Sequence, residues 1–343
     1  MPGVILWLQL LLCAGVITFS GSRLCRYADV LAEKTGLGRT WMGLVAVALV
    51  TSLPELANGV SAVLWVKAPD LAVGNLLGAA VLNLAILAVA DIFYPPGPVL
   101  TAADRGHILA AAFGVILLGV ATLTILPRGP LMAGLSVRDV SLSSPVLLLC
   151  YLMGMRATFR FQRRERAEYL QEHPEEIEDI LYPDHRLGEA AGRFAVHALV
   201  VVAAGFWLPR VAERLAAYMG WHLSLVGTVF TALVTTLPEL VVTLSALRLG
   251  AVDLAVGDLL GSLMANIAML GLLDFLYFDG PLLLAAAPEH AGTGLLAIIM
   301  IGIVVAELIF RPQKKFLRWI SLGAFLLAFL YAGNIILHIL AHR

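Results

Sequence analysis

The chain has 343 residues, of which 60% are hydrophobic and 14% are charged, with a formal net charge of −1. Its mean hydropathy is +0.90. An ordinary soluble domain is about 45–50% apolar, so the composition excludes a soluble globular protein and predicts a polytopic membrane protein.

Hydropathy along the chain predicts ten membrane-spanning helices, because each apolar stretch is long enough to cross a bilayer core. They lie at approximately 3–20, 40–66, 70–94, 105–126, 144–160, 191–209, 222–248, 251–277, 289–310 and 318–340. No basic residue precedes the first apolar run, so we expect a retained helix rather than a cleaved signal peptide. The predicted fold class is an all-α polytopic membrane protein with ten transmembrane helices.

One long polar stretch, Arg160–Arg193, divides the ten spans into two sets of five. Its charges are of both signs, which is typical of a solvated linker that contains a short amphipathic helix and a loop. We therefore predict a first five-helix repeat at 1–159, a cytoplasmic linker at 160–193 and a second five-helix repeat at 194–343.

The two halves are related by an internal repeat. The stretch "ALVTSLPEL" recurs as "ALVTTLPEL", and "DLAVGNLLGAAVLNLAILAVAD" recurs as "DLAVGDLLGSLMANIAMLGLLD". Chance similarity between apolar helices explains matched Leu and Val, but it does not explain matched Pro, Glu, Gly, Asn and Asp in the same order. The repeated segments cover about 41–91 and about 225–274.

The positions of Lys and Arg predict the topology. With the N-terminus outside, most of the 23 basic residues fall in cytoplasmic loops, including the central linker. Five spans per half is an odd number, so the second half enters the membrane in the opposite orientation, as in the inverted repeats of secondary transporters. Short loops and the lack of a targeting signal favour a bacterial inner membrane. The expected partners are the lipid bilayer and inorganic cations, with no nucleic acid, and the expected state is a monomer.

Each half places a proline and a glutamate inside an apolar span. Pro54 has no amide hydrogen, so carbonyls near Ala48 to Val50 are expected to leave the helical ladder, which a membrane tolerates only where an ion or water replaces the partner. Glu55 is an intramembrane carboxylate, and Thr51 lies four residues earlier on the same helix face. A proline kink with a glutamate that reaches the interface is the alternative for a single copy. The second half repeats the arrangement with Ala232, Thr235, Thr236, Pro238 and Glu239.

The next span of each half carries a stripe of small or polar residues at every fourth position. The stripes consist of Asn75, Ala79 and Asn83 in the first half and Asp258, Ser262 and Asn266 in the second. Hydrogen bonding between helices is the alternative explanation of the asparagines. Carbonyl, hydroxyl and carboxylate oxygens are the ligands that Ca²⁺ prefers, and two glutamates match its two charges. The sequence therefore predicts a cation site between the halves.

These motifs resemble the α-repeats of the Ca²⁺/cation antiporter superfamily, which includes the Na⁺/Ca²⁺ exchangers. The family pattern is "GTSLPE" followed by "GNxxGSNxxN/D", once per half; this chain has "VTSLPE" with "GNLLGAAVLN" and "VTTLPE" with "GDLLGSLMAN". The resemblance implies an alternating-access antiporter of ten helices. Its implied Ca²⁺ ligands are Glu55, Glu239, Thr51 and Thr235. Its implied Na⁺ ligands are Ser52, Thr236, Ser262, Asn83, Asn266 and the backbone carbonyls of Ala48 and Ala232.

Four departures from the family pattern bear on the ions. Val50 and Val234 replace glycine, Ala79 lacks the hydroxyl of a Na⁺ ligand, and Asp258 replaces asparagine. We count Asp258 among the predicted cation-binding residues. A lost Na⁺ ligand beside a gained titratable acid favours fewer Na⁺ per cycle, or H⁺, over a three-sodium mechanism.

The predicted function is secondary active exchange of Ca²⁺, or a similar divalent cation, for Na⁺. Proton-coupled exchange of the divalent cation is the alternative, and a cation channel is less favoured, because shared buried acids in an inverted repeat suit exchange. No Ser/His dyad, HExxH or GxGD pattern is present, so we expect no enzyme; His107, His197 and His290 are interpreted as isolated loop or helix-end residues. The three cysteines show no metal-ligand spacing, and we expect no cofactor besides the transported ions.

Overall fold

The computed structural model describes residues 2–35, 48–126, 136–137, 140–172, 186–248 and 250–341, and most of them are helical. The α-helices are α1 (Pro2–Thr35), α2 (Ala48–Thr51), α3 (Leu53–Ser61), α4 (Pro69–Ile92), α5 (Val99–Ala102), α6 (His107–Ile125), α7 (Ser143–Glu172), α8 (Leu187–Met219), α9 (Leu223–Leu225), α10 (Ala232–Thr235), α11 (Leu237–Arg248), α12 (Val252–Asp274), α13 (Leu282–Ala285), α14 (Glu289–Phe310) and α15 (Leu322–Ala341). Two π-helical segments, Ala62–Val66 and Val226–Thr231, lie next to α3 and α10. One short antiparallel pair, β1 (Ser136–Val137) and β2 (Val140–Ser141), is not predicted by hydropathy.

The prediction of an all-α polytopic membrane protein is confirmed. Among the described residues, eight helices are long and apolar enough to cross a membrane, and the bent pair Leu223–Thr235 and Leu237–Arg248 makes a ninth. The predicted span at 144–160 lies within α7, which is not among these nine because its apolar run is short and reaches Arg156 and Arg160.

The predicted linker is partly helical. Helix α7 continues to Glu172 and helix α8 begins at Leu187, so both helices enter the range 160–193. The loop predicted between them falls largely at 173–185, outside the described residues, as does the start of the first repeated segment at 41–47.

Helices α4 and α12 form the centre of the protein. Nearly every residue of both helices is buried, whereas α1, α8 and α15 expose large apolar side chains such as Leu12, Leu199 and Phe329. Exposed apolar surface on this scale suits contact with lipid rather than water. The polar stripes of the two repeats therefore lie in the part of the protein that is farthest from lipid.

Two buried aspartates tie the C-terminal ends of these central helices to the opposite half. Asp91 accepts hydrogen bonds from the backbone amides of Val99 at 2.8 Å and Ser321 at 2.7 Å. Asp274, the repeat counterpart of Asp91, accepts them from the amides of Leu282 at 2.5 Å and Ser141 at 2.8 Å. The same local structure thus recurs at both copies of the repeat.

Close contact between α4 and the second π-helical segment depends on a glycine. A Cβ atom at Gly78 would lie 2.3 Å from the carbonyl oxygen and 2.8 Å from the Cα of Thr228. These are backbone atoms, which cannot rotate away. Gly78 therefore allows the central helix of the first half to approach the motif helix of the second half.

We expect Gly78→Ala to lower the free energy of unfolding by about 1–3 kcal/mol, because the added methyl group overpacks a rigid contact. Gly119→Ala is the matched control, since a Cβ at this helical position meets nothing within 4 Å; it should be neutral or stabilising by up to about 1 kcal/mol. Thermal melting of both variants in detergent checks the difference, and equal melting temperatures would contradict it.

Candidate cation site

Both motif helices break between the threonine and the proline. The break lies at Ser52 between α2 and α3, and at Thr236 between α10 and α11. The two residues have the same backbone conformation, with φ −82° and ψ 4° at Ser52 and φ −86° and ψ 3° at Thr236. The helix axis bends by 42° at the second break. The two copies of the motif therefore fold alike, as the repeated sequence predicts.

The carbonyls of Ala48 and Ala232 do not leave the helical ladder, so that expectation is wrong. The Ala48 carbonyl still accepts the Ser52 amide at 3.1 Å, and the Ala232 carbonyl accepts the Thr236 amide at 3.0 Å. The reason is that each proline removes only the donor to the carbonyl four residues before it, which is two residues beyond these alanines. Each alanine carbonyl keeps a second lone pair, and that lone pair is available to side-chain hydroxyls.

A first oxygen cluster joins Ala48 and Thr51 of the first half to Asp258 and Ser262 of the second. Thr51 Oγ1 lies 3.3 Å from Asp258 Oδ1, 3.2 Å from Ser262 Oγ and 3.1 Å from the Ala48 carbonyl oxygen. Ser262 Oγ lies 3.5 Å from the same carbonyl. All four residues are buried. Two hydroxyls, a carbonyl and a carboxylate thus meet where the two halves contact each other.

A second oxygen cluster occupies the repeat-related position. Thr235 Oγ1 lies 3.3 Å from Asn75 Oδ1, 3.0 Å from the Thr231 carbonyl oxygen and 3.2 Å from the Ala232 carbonyl oxygen. Thr235 corresponds to Thr51, and Asn75 corresponds to Asp258. The position that corresponds to Ser262 is Ala79, which has no hydroxyl to offer. The second cluster therefore lacks both the charge and one hydroxyl group of the first.

The two motif glutamates differ in their hydrogen-bond partners. Glu55 Oε1 accepts a hydrogen bond from Thr236 Oγ1 at 3.2 Å, while its Oε2 has no hydrogen-bond partner. Neither carboxylate oxygen of Glu239 forms a hydrogen bond of normal geometry, although Thr51, Glu55 and Asp258 are near enough to interact with Glu239. Both glutamates are fully buried. Burying a carboxylate without a partner is costly, so this arrangement suits a bound cation.

The other predicted ligands are buried without contacts that join them to the clusters. The side-chain polar atoms of Ser52, Asn83 and Asn266 are inaccessible and have no hydrogen-bond partner, and neither does Asp258 Oδ2. Buried polar atoms are normally satisfied, so unsatisfied ones around three carboxylates indicate a place for a polar ligand. The assignment of Ser52, Asn83 and Asn266 as ligands stays a prediction.

No group of three or more His, Cys, Asp and Glu side chains is close enough to hold a metal ion by itself, among the residues that the structure describes. A cation here would depend on hydroxyl, amide and carbonyl oxygens as well as carboxylates. These hard ligands suit Ca²⁺ and other hard cations.

Three buried polar residues lie outside the predicted ligand set. Asn75 contacts Thr235 directly, and its repeat relation to Asp258 was the available signal. Asn58 and Thr243 are fully buried with unpaired side-chain oxygens. Asn58 follows Glu55 by three residues, and Thr243 follows Glu239 by four. Helical spacing therefore predicts that each lies on the same helix face as its glutamate.

His107 and His290 lie at helix starts, as predicted, but they are not isolated. Both rings are buried, and their Nε2 atoms lie 3.1 Å from Asp253 Oδ1 and 3.3 Å from Asp70 Oδ1, respectively. The sequence signal was again the repeat, because 183 residues separate the two histidines as well as the two aspartates.

A model of the sodium/calcium exchanger protein family matches residues 5–155 and 189–337. The matched stretches include both motif copies.

Two curated relatives align with most of the chain. CaxA of Alkalimonas amylolytica, a proposed antiporter, is 24% identical over 311 residues, which cover 89% of each protein. The inner membrane protein YrbG of Escherichia coli (strain K12) is 25% identical over 302 residues, which cover 88% of this chain and 87% of YrbG.

Solved structures of the sodium-calcium exchanger NCX_Mj have the same fold. The form soaked with 2.5 mM Na⁺ and 10 mM Sr²⁺ has a TM-score of 0.62 at 19% identity, covering 97% of this chain and 99% of that one. The form soaked with 10 mM Na⁺ and no Ca²⁺ has a TM-score of 0.61 at 20% identity over similar shares.

Proposed function

Because the chain belongs to the sodium/calcium exchanger protein family, we propose that it is a secondary active antiporter that exchanges Ca²⁺, or a similar divalent cation, for Na⁺ by alternating access. The observation that carries the proposal is the pairing of Thr51 with Asp258 and of Thr235 with Asn75 across the two halves, beside two buried glutamates. The likeness to the sodium-calcium exchanger NCX_Mj and to the proposed antiporter CaxA supports the same activity.

Charge balance gives the coupling mechanism. Two glutamates neutralise one divalent cation, and they equally neutralise monovalent cations that take its place. Since Glu55 and Glu239 interact electrostatically, the same pair serves either kind of cation but not both at once. An empty site keeps unpaired carboxylates in a low-dielectric interior, which is unfavourable, so the site crosses between the two faces when it is loaded. Exchange rather than leakage follows.

The difference between the two oxygen clusters favours a second candidate for the counter-ion. The first cluster offers a carboxylate and an extra hydroxyl, whereas the second offers neither. A monovalent cation is therefore bound better in the first cluster. This arrangement supports fewer Na⁺ per cycle than a symmetric site. The Asp258 carboxylate can also bind a proton, which is the second candidate for the counter-ion.

The proposed location is a bacterial inner membrane, with the N-terminus outside and the loop between α7 and α8 in the cytoplasm. The basic residues support this orientation, because they are concentrated in the loops assigned to the cytoplasm. The similarity to the inner membrane protein YrbG of Escherichia coli supports the proposed location in an inner membrane.

Ion dependence of transport tests the function. Liposomes that contain the purified protein and ⁴⁵Ca²⁺ should release the isotope when an inward Na⁺ gradient is applied, and the rate should saturate with both ions. A choline gradient is the control. If ⁴⁵Ca²⁺ is released fully without Na⁺ and the release stops when the pH gradient is removed, the counter-ion is H⁺ and not Na⁺. Release that neither saturates nor needs a counter-ion would indicate a channel.

Glu55→Gln and Glu239→Gln should each reduce divalent exchange by at least about 100-fold, because one remaining negative charge poorly neutralises a divalent cation. Glu213→Gln, at an exposed position on α8, is the matched control and should transport normally. The same flux assay measures all three. Retained exchange in both motif variants would rule out the site assignment.

Asp258→Asn should change the pH and Na⁺ dependence of exchange more than the affinity for the divalent cation, because it makes the first cluster resemble the uncharged second one. Ala79→Ser is the matched variant, since it supplies the hydroxyl that the second cluster lacks; it should lower the half-saturating Na⁺ concentration about fivefold. Initial rates at several pH values and Na⁺ concentrations measure both effects. An Asp258→Asn profile identical to that of the unmodified protein would remove the proposed counter-ion role.

A further inference from the structure

A buried histidine of the first half contacts the start of central helix α12. Asp253 lies in the first turn of α12, and its Oδ1 accepts a hydrogen bond from the Asp104 amide at 2.6 Å and lies 3.1 Å from His107 Nε2. The His107 ring is 2% exposed, although the Asp253 side chain is 52% exposed. The carboxylate also interacts with Arg311. A fixed ring and a backbone amide of one half thus hold the first turn of the other half's central helix.

The same contact recurs at the start of α4. Asp70 Oδ1 accepts the Ala287 amide at 2.5 Å and lies 3.3 Å from His290 Nε2. The His290 ring is fully buried and packs on Gly74, where a Cβ would lie 3.1 Å from its Cε1. The contact between His290 Nε2 and Asp70 does not have the geometry of a hydrogen bond. The contact between His107 Nε2 and Asp253 does have that geometry. The two contacts are therefore repeat-related but unequal in strength.

The two contacts hold different helices, α12 and α4, and these helices place different residues in the candidate cation site. Asp258 follows Asp253 by five residues on α12, and Asn75 follows Asp70 by five residues on α4. An α-helix rises about 1.5 Å per residue and is stiff over this length, so a displacement of its first turn moves the site residue with it. Neither helix has a side-chain hydrogen bond at its N-cap. The aspartate contact is therefore the polar anchor of each first turn.

We propose that the Asp253–His107 contact is a positioning contact for Asp258, and so sets the affinity of the transporter for its counter-ion. The inference rests on the proposed antiport function. The Asp70–His290 contact has the corresponding place relative to Asn75, which carries no charge, so its loss should have little effect on the counter-ion. The two contacts form a matched pair in one molecule, which separates positioning of a charge from general support of the fold.

The test compares His107→Ala, His107→Gln and His290→Ala in the liposome exchange assay. His107→Ala should raise the half-saturating counter-ion concentration about tenfold, with the maximal rate within about twofold, because small displacements of a ligand weaken a site strongly. His107→Gln should restore it to within about twofold, since the glutamine amide donates to Asp253 as the ring does. His290→Ala should leave it within about twofold of the unmodified protein.

Two outcomes overturn the positioning role: an unchanged counter-ion dependence in His107→Ala, or equal shifts in both alanine variants. If His107→Ala does not fold, as judged by thermal melting, His107→Phe replaces it, because the phenyl ring fills the buried space but has no nitrogen that donates to Asp253. If the unmodified protein exchanges no cation, the proposed function has failed. Equilibrium binding of ²²Na⁺ to the purified protein then makes the same comparison, and equal binding in His107→Ala overturns the positioning role.

Discussion

The structure depends on the burial of three carboxylates where the protein is farthest from lipid and water. Glu55, Glu239 and Asp258 are fully buried, and unpaired charges in such a place are unstable. The surrounding features all reduce this cost. Threonine hydroxyls at the helix breaks donate to Glu55 and Asp258, the two stripes supply further oxygens, and a glycine lets the backbones approach. These features leave the negative charge of the three carboxylates unbalanced, and cations supply the opposite charge. The stability of the interior is therefore linked to cation binding.

The two copies of the repeated motifs share local structure but not a charge distribution. The Thr51–Asp258 and Thr235–Asn75 contacts both measure 3.3 Å, as expected of contacts between repeat-related positions. The chemistry at the two positions is unequal, because one contact ends on a carboxylate and the other on an amide. The family pattern allows an acid at the end of the stripe, where this chain has Asn83 and Asn266. Here the acid lies two helical turns earlier, beside the motif threonine.

Repetition made much of the site predictable from sequence. The helix breaks, the buried stripes and the burial of the glutamates follow from matched residues at fixed spacing. Pairings across the halves, such as Thr51 with Ser262, depend on how the two copies dock, which local patterns do not encode. The Ala48 carbonyl was misjudged because the loss of one amide was applied too broadly. The Asp253–His107 contact was missed because each residue is unremarkable by itself, and only the shared offset of 183 residues relates it to Asp70 and His290.

The ends of the central helices explain why neither half forms the site alone. Four aspartates, at the two ends of α4 and the two ends of α12, each accept a backbone amide from the opposite half: Asp70 from Ala287, Asp91 from Ser321, Asp253 from Asp104 and Asp274 from Ser141. A bond from a backbone amide has a fixed donor position and involves no mobile cation. Such bonds do not themselves depend on a cation at the centre. The charges that bind the cargo and the charges that hold the frame are therefore separated along the same two helices, and a change of cargo need not loosen the frame.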